Sequence, residues 1–245
     1  MTPHLLIAAL EAANPALWRA SQLAPNSTDC LDTGYAVLSQ QLPGGGWPLG
    51  VMTELLVPQH GAGELRLLRP ALEALGQRSI VLVQPPHDPQ ALALAAQGID
   101  PARLLWIRGA NQTDVRSRGK QSSDALWAAE QVLRSGCCGA LLLWQNHVRG
   151  ETLRRLHLAA QSSNTLFVMV RPLAAAQDAS PAPLRLSVTP APGGIEIGFV
   201  KRKGPQRDAP LFLPLTPSLL QRHALVDRPA PTPAPARSVL PALVG

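Results

Sequence analysis

An α/β fold with a mainly parallel central sheet is what this sequence predicts, on three observations. From Val51 to Val170, strand-like and helix-like segments alternate with short connections. The strand-like runs Ile80-Val-Leu-Val83, Ala140-Leu-Leu-Leu-Trp144 and Leu166-Phe-Val-Met-Val170 are continuously apolar, as needed where helices cover both faces of a parallel sheet. After Leu184 apolar and polar residues alternate, which reads as an antiparallel C-terminal hairpin closing one edge.

Residues 1–30 read as an N-terminal helical arm and linker. Leu6, Ala9, Leu10 and Ala13 recur at helical spacing until Asn14-Pro15 breaks the run, and a second helical piece covers 15–23. Leu6, Leu10 and Trp18 are its candidates for docking a partner. Residues 31–226 form the core. Leu31-Asp-Thr-Gly34, an apolar segment to Leu42 and a turn dense in glycine and proline at 43–50 lead into a strand at 51–56. Then follow helix 64–75, strand 79–84, helix 89–97, strand 103–107, a polar loop at 109–122, helix 123–135, strand 139–144, helix 150–161 and strand 165–170. Gly76, Gly98 and Gly136 stand just past helices as left-handed caps, and Ser123 caps the helix that starts at Asp124. The hairpin strands are 184–189 and 195–200, joined by 190–194; a basic segment, 201–207, and an apolar one, 211–215, complete the core. The Pro/Ala-rich tail, 227–245, carries too little apolar surface to order itself.

A chain of 245 residues with 46% hydrophobic content suits one main domain. The start has no basic leader and no apolar run approaches the ~20 residues of a membrane helix, so a soluble, cytoplasmic protein without membrane contact is expected. The three cysteines have no C-x-x-C spacing and read as idle thiols. Charge is uneven: residues 1–100 hold 4 basic and 8 acidic side chains (−4), residues 101–245 hold 18 and 8 (+10). The second part therefore favours an anionic partner, nucleic acid first among them. Lys201, Arg202, Lys203 and Arg207, with Arg171 and Arg185 at neighbouring strand ends, are the candidates for DNA-backbone contact. One tyrosine and three phenylalanines argue against a dedicated single-strand binder.

The loop at 57–64 lies where a nucleotide-binding fold keeps its phosphate cradle. The pattern G-x-x-x-x-G-K-[ST] places its four fixed positions on Val57, Ala62, Gly63 and Glu64, so lysine and hydroxyl are missing and a carboxylate takes their place. With Gly61, these residues form a degenerate nucleotide loop not expected to bind. His60, His87 and Glu64 make no close ligand pair, and no hydrolase motif is present. No catalytic residue, metal or cofactor is expected.

Leu31-Asp-Thr-Gly34, then Leu42-Pro-Gly-Gly-Gly-Trp-Pro-Leu-Gly50, then a strand and the degenerate loop resemble the start of the RecA recombinase core. Leu42-Pro-Gly-Gly-Gly-Trp-Pro48, Ala125-Leu-Trp-Ala-Ala-Glu-Gln-Val-Leu133, Leu153-Arg-Arg-Leu-His-Leu-Ala-Ala160 and Ser180-Pro-Ala-Pro-Leu-Arg-Leu186 are similar to the ImuA family of RecA-like accessory proteins. The resemblance implies a RecA-like core from about 31 to 215. On that pattern the water-orienting glutamate falls at about Pro86 and the metal aspartate at Trp144, so a non-enzyme is implied. It further implies a role in damage-induced translesion synthesis, with ImuB, the RecA recombinase and the error-prone polymerase of the same cassette as partners. Two other readings stand beside it: a SulA-like division inhibitor that binds the tubulin-like ring protein, and an ATP-binding regulator using Gly61 and Gly63.

Overall fold

The apolar runs become the inner strands of one eight-stranded sheet. The structure, a computed structural model, describes residues 29–108, 118–204, 207 and 209–215, with side chains of the helix at 118–135 described from Ser123. The arm with Leu6, Leu10 and Trp18, most of the polar loop and the tail lie outside the described residues. No helix among the described residues is long and apolar enough to cross a membrane.

In chain order the elements are β1 (Cys30–Leu31), α1 (Ala36–Ser39), β2 (Trp47–Pro48), β3 (Met52–Val57), α2 (Glu64–Ala74), β4 (Ile80–Val83), α3 (Ala91–Ala95) and β5 (Leu104–Ile107). They continue with α4 (Arg118–Ser135), β6 (Ala140–Trp144), α5 (Gly150–Ala160), β7 (Leu166–Pro172), β8 (Leu184–Ala191), β9 (Gly194–Lys201) and β10 (Leu211–Pro214). The main sheet runs β10-β9-β8-β3-β7-β6-β4-β5. β8, β3, β7, β6, β4 and β5 are mutually parallel, and β9 and β10 join antiparallel. β1 and β2 form a separate antiparallel pair.

Every residue of β3, β4 and β6 is buried, because helices cover both faces. On one face Leu55, Leu82, Leu142, Val168 and Leu186 meet Leu67, Leu68, Ala71 and Leu72 of α2. On the other, Val81, Leu141, Phe167 and Met169 meet Ala125, Ala129 and Leu133 of α4 and Leu153 and Leu156 of α5. Gly34, with φ 76°, lets the segment between β1 and α1 lie on α2: a Cβ there would stand 2.2 Å from Pro70 Cβ.

Gly76, Gly98 and Gly136 take the expected left-handed conformation, with φ of 61°, 79° and 61°. Other details differ from the sequence-based expectation. α4 begins at Arg118, so Ser123 lies inside it and caps nothing. α3 spans only Ala91–Ala95. The hairpin strands are longer than expected and leave Pro192-Gly193 as a two-residue turn, Gly193 supplying a φ of 77°. The hairpin is not the sheet's edge, since Leu211–Pro214 pairs outside β9 and takes that place.

Candidate functional site

β3 is one of the two middle strands of the sheet and parallel to both its neighbours, and the loop at its carboxyl end is where open α/β sheets seat ligands. Gly61 and Gly63 have φ of 80° and 114°, a geometry closed to most side chains. Their N–H groups are already engaged: Gly61 donates to Glu64 Oε1 at 2.9 Å and Gly63 to Glu64 Oε2 at 3.1 Å. Gly63, the N-cap of α2, has no side chain to cap it, so the first helical residue folds its carboxylate back over the helix start. Amides and helix dipole together make an anion seat, and here the anion belongs to the chain. Glu64 is 3% exposed and Ala62 is also buried. A Cβ at Gly63 would stand 2.8 Å from Ile195 Cγ2 and 3.7 Å from Leu215 Cδ1, so β9 and the residue after β10 close the loop from outside.

The other positions of this corner carry no charge. Val57 is buried in the core, Pro86 is half-buried, and Trp144 is buried at the end of β6 with its indole N–H unpartnered among the described residues. His60 is half-buried and His87 exposed. No group of three or more metal-ligating side chains occurs among the described residues. Sequence reasoning missed the amide pair beside this corner, in which Gln145 Nε2, after β6, donates to Gln84 Oε1, after β4. Gln84 is the one non-glycine residue with positive φ, 50°, among the described residues.

Arg171 and Arg185 are not on a positive rim. They are 1% and 5% exposed, drawn inward by Glu54 of β3, which is wholly buried. Glu54 Oε2 accepts from Arg185 Nε at 2.6 Å, while its Oε1 accepts from Ser180 Oγ at 2.8 Å and faces Arg171 Nη1 at 3.4 Å. The register explains the meeting, since Glu54 lies opposite Arg185 on β8 and opposite Met169, two residues before Arg171, on β7. A buried charge needs such partners. Arg185 also donates to the carbonyls of Ala175, Ala176 and Asp178, and Arg171 pairs at 2.8 Å with Asp178, which is 57% exposed. The two arginines thereby fasten the 3₁₀ turn Leu173–Gln177 to the sheet and are not free to meet phosphate.

The remaining basic candidates stand outside. Lys201 and Lys203 are exposed, and Arg202 and Arg207 half-exposed. Lys201 donates to the Ser180 carbonyl at 2.9 Å and Arg202 to that of Gln41. The Arg202 and Arg207 guanidinium carbons lie 5.0 and 6.0 Å from the centre of the Phe199 ring. On α5, Arg155 pairs with the buried Glu130 of α4. His157 Nδ1 accepts from the Met52 N–H at 3.4 Å, and burial, then the Lys201 charge, holds its pKa below the ordinary 6.5.

No protein-family model matches the chain. Over 108 residues it is 28% identical to the cell division inhibitor SulA of Edwardsiella piscicida, a weak homology that takes in 43% of this chain. The match spans 58% of that relative's length. The crystal structure of SulA from Pseudomonas aeruginosa aligns with a TM-score of 0.39 at 22% identity, over 49% of this chain and 97% of that one.

Proposed function

We propose that this chain is a non-catalytic accessory protein of SOS-type, damage-induced translesion DNA synthesis, built on a RecA-like core whose phosphate loop is degenerate. It acts by binding: ImuB, a polymerase-like adaptor, and the RecA recombinase are its partners, with the error-prone polymerase of the same cassette as a third. Its place is the cytoplasm. The observation that carries the non-catalytic part is the Glu64 carboxylate seated on the Gly61 and Gly63 amides, where a phosphate would otherwise sit. An internal anion with no lysine beside it repels a nucleotide. Pro86 and Trp144 add no carboxylate for water or metal. The partner assignment draws on the four phrases similar to the ImuA family, and the homology to SulA is consistent with a damage-response role.

Two experiments test the reading. In the first, calorimetric titration with Mg-ATP gives no heat of binding; micromolar affinity would overturn the loop assignment in favour of an ATP-binding regulator. In the second, the full chain is used to capture purified ImuB and RecA, with Leu6, Leu10 and Trp18 each changed to alanine in one variant. Binding of both partners by the native chain and its loss in the variant is expected. Retention by the variant removes the arm from the proposal, and failure of the native chain to bind either removes the accessory role.

The SulA match favours a second reading, a division inhibitor acting on the tubulin-like ring protein. Overexpression that makes cells filament without altering mutation frequency would select it.

A further inference from the structure

We propose that the exit of the hairpin, at Lys201, Lys203 and Arg207, is a binding strip for the phosphate backbone of duplex nucleic acid. This does not depend on the accessory role proposed above. Between Glu196 and Asp208 the chain carries four cations, Lys201, Arg202, Lys203 and Arg207, and no acid. β9 runs antiparallel to β8 and sets Lys201 opposite Arg185, so the segment leaves the sheet beside the amino ends of the parallel strands. It is thus at the far end from the loop at 57–64.

Several basic groups elsewhere in the fold have acidic partners, Arg69 with Glu73, Arg134 and Arg155 with Glu130, Arg171 and Arg185 with Glu54, while Arg78 and Arg103 donate to backbone carbonyls. Among the described residues no carboxylate lies within salt-bridge distance of Lys201, Lys203 or Arg207. The like charges of Lys201, Lys203 and Arg207 repel one another, and an external polyanion relieves that repulsion. Lys201, Arg202 and Arg207 are nonetheless held by contacts within the fold. Arg202 anchors the segment through Phe199 and the Gln41 carbonyl, Arg207 stacks on the same ring, and Lys201 uses one of its three donors on Ser180. The Lys201 field reaches α5, where it acts on His157.

The chemistry favours a phosphate backbone over bases. Phe199 is engaged by two guanidinium groups, so it is not a free stacking platform. Lysine ammonium groups are point charges that position phosphates and read no sequence. A duplex offers twice the linear charge density of one strand, which makes it the better match for a strip without stacking.

The test uses the full chain and a short fluorescent duplex of mixed sequence, read by anisotropy as salt rises from about 50 to about 200 mM. Three neutralised phosphates give a slope of about −2.7 in log affinity against log salt, or about 40-fold weaker binding across that range. Lys203→Glu alone, and Lys203→Glu with Arg207→Glu, should lower affinity stepwise and flatten the slope by about 0.9 for each phosphate no longer neutralised, at unchanged circular dichroism. The salt series on the native chain needs no variant, so misfolding of the double variant leaves the proposal exposed to refutation. Absence of duplex binding at low salt, a slope shallower than about −1, or folded variants that bind like the native chain would each overturn it. Tighter binding of the single strand would overturn the duplex assignment. Poly-glutamate competing as well as unlabelled duplex would replace nucleic acid with an acidic protein surface.

Discussion

Glu54 and Glu64 belong to one strand–loop–helix unit and both are buried, but their charges are answered differently. Glu54 meets two guanidinium groups and a hydroxyl, supplied by residues 117, 126 and 131 positions away in the chain. Glu64 meets two backbone amides one and three positions away, at a helix start. Remove Glu54 and two cations remain buried without their counter-charge. Remove Glu64 and what remains is a pair of N–H groups that water can reach. The first carboxylate is bound into the whole sheet, the second into its own turn.

The largest effect should therefore come from Glu54→Ala, which breaks a buried ion cluster and lowers the unfolding free energy by about 3–5 kcal/mol in urea denaturation. A loss below about 1 kcal/mol would place Glu54 with ordinary surface pairs and dissolve the contrast. Gly63→Ala should cost about 1–3 kcal/mol, because its φ of 114° disfavours a side chain and the new methyl meets Ile195. That variant tests the loop's shape apart from its anion. Glu64→Ala should cost about 1–2 kcal/mol, the size of a lost helix cap, and Glu64→Gln less, since the amide oxygen still accepts. If Glu64→Ala matched Glu54→Ala, the local carboxylate would be as deeply tied into the fold as the long-range one.

The smallest effect is a pH slope. His157 is half-buried and feels the Lys201 charge, and its folded-state pKa lies below the ordinary 6.5. As pH falls through 6.5 the unfolded chain takes up the proton first, so the stability linked to His157 is complete above that value and declines below it until the folded imidazole is also protonated. His157→Gln should flatten stability against pH in this window in matched denaturation series, and an unchanged slope would show that the imidazole is already hydrated.

The parallel sheet was legible because Ile80–Val83 and Ala140–Trp144 are apolar on both faces, a pattern that only double coverage explains. The start of α4 was not, since residues 118–122 are polar and glycine-containing and their helical state continues from Asp124 without a local signal. β10 was read as an apolar segment but not as a strand edge, because pairing is decided by register rather than by composition. At the loop, the anion at Glu64 was visible in the sequence, whereas its acceptor geometry depends on two positive φ angles that a string of letters does not specify. Arg171 and Arg185 were placed on the surface by their charge alone. Glu54 in the middle of Met52–Val57 was the available clue, an acid in a strand otherwise suited to the core, but matching it to two arginines required the order β8-β3-β7.

That order has a consequence for synthesis on the ribosome. β3 is among the first strands to be made and lies at the centre of the sheet, yet its neighbours β7 and β8 come more than a hundred residues later, Arg185 being 131 positions beyond Glu54. The nascent chain must carry an unpaired apolar strand with a bare carboxylate until both arginines emerge. Stalling before β8 would therefore release a chain whose central strand has one open edge, the kind of intermediate that holdase chaperones retain and proteases clear.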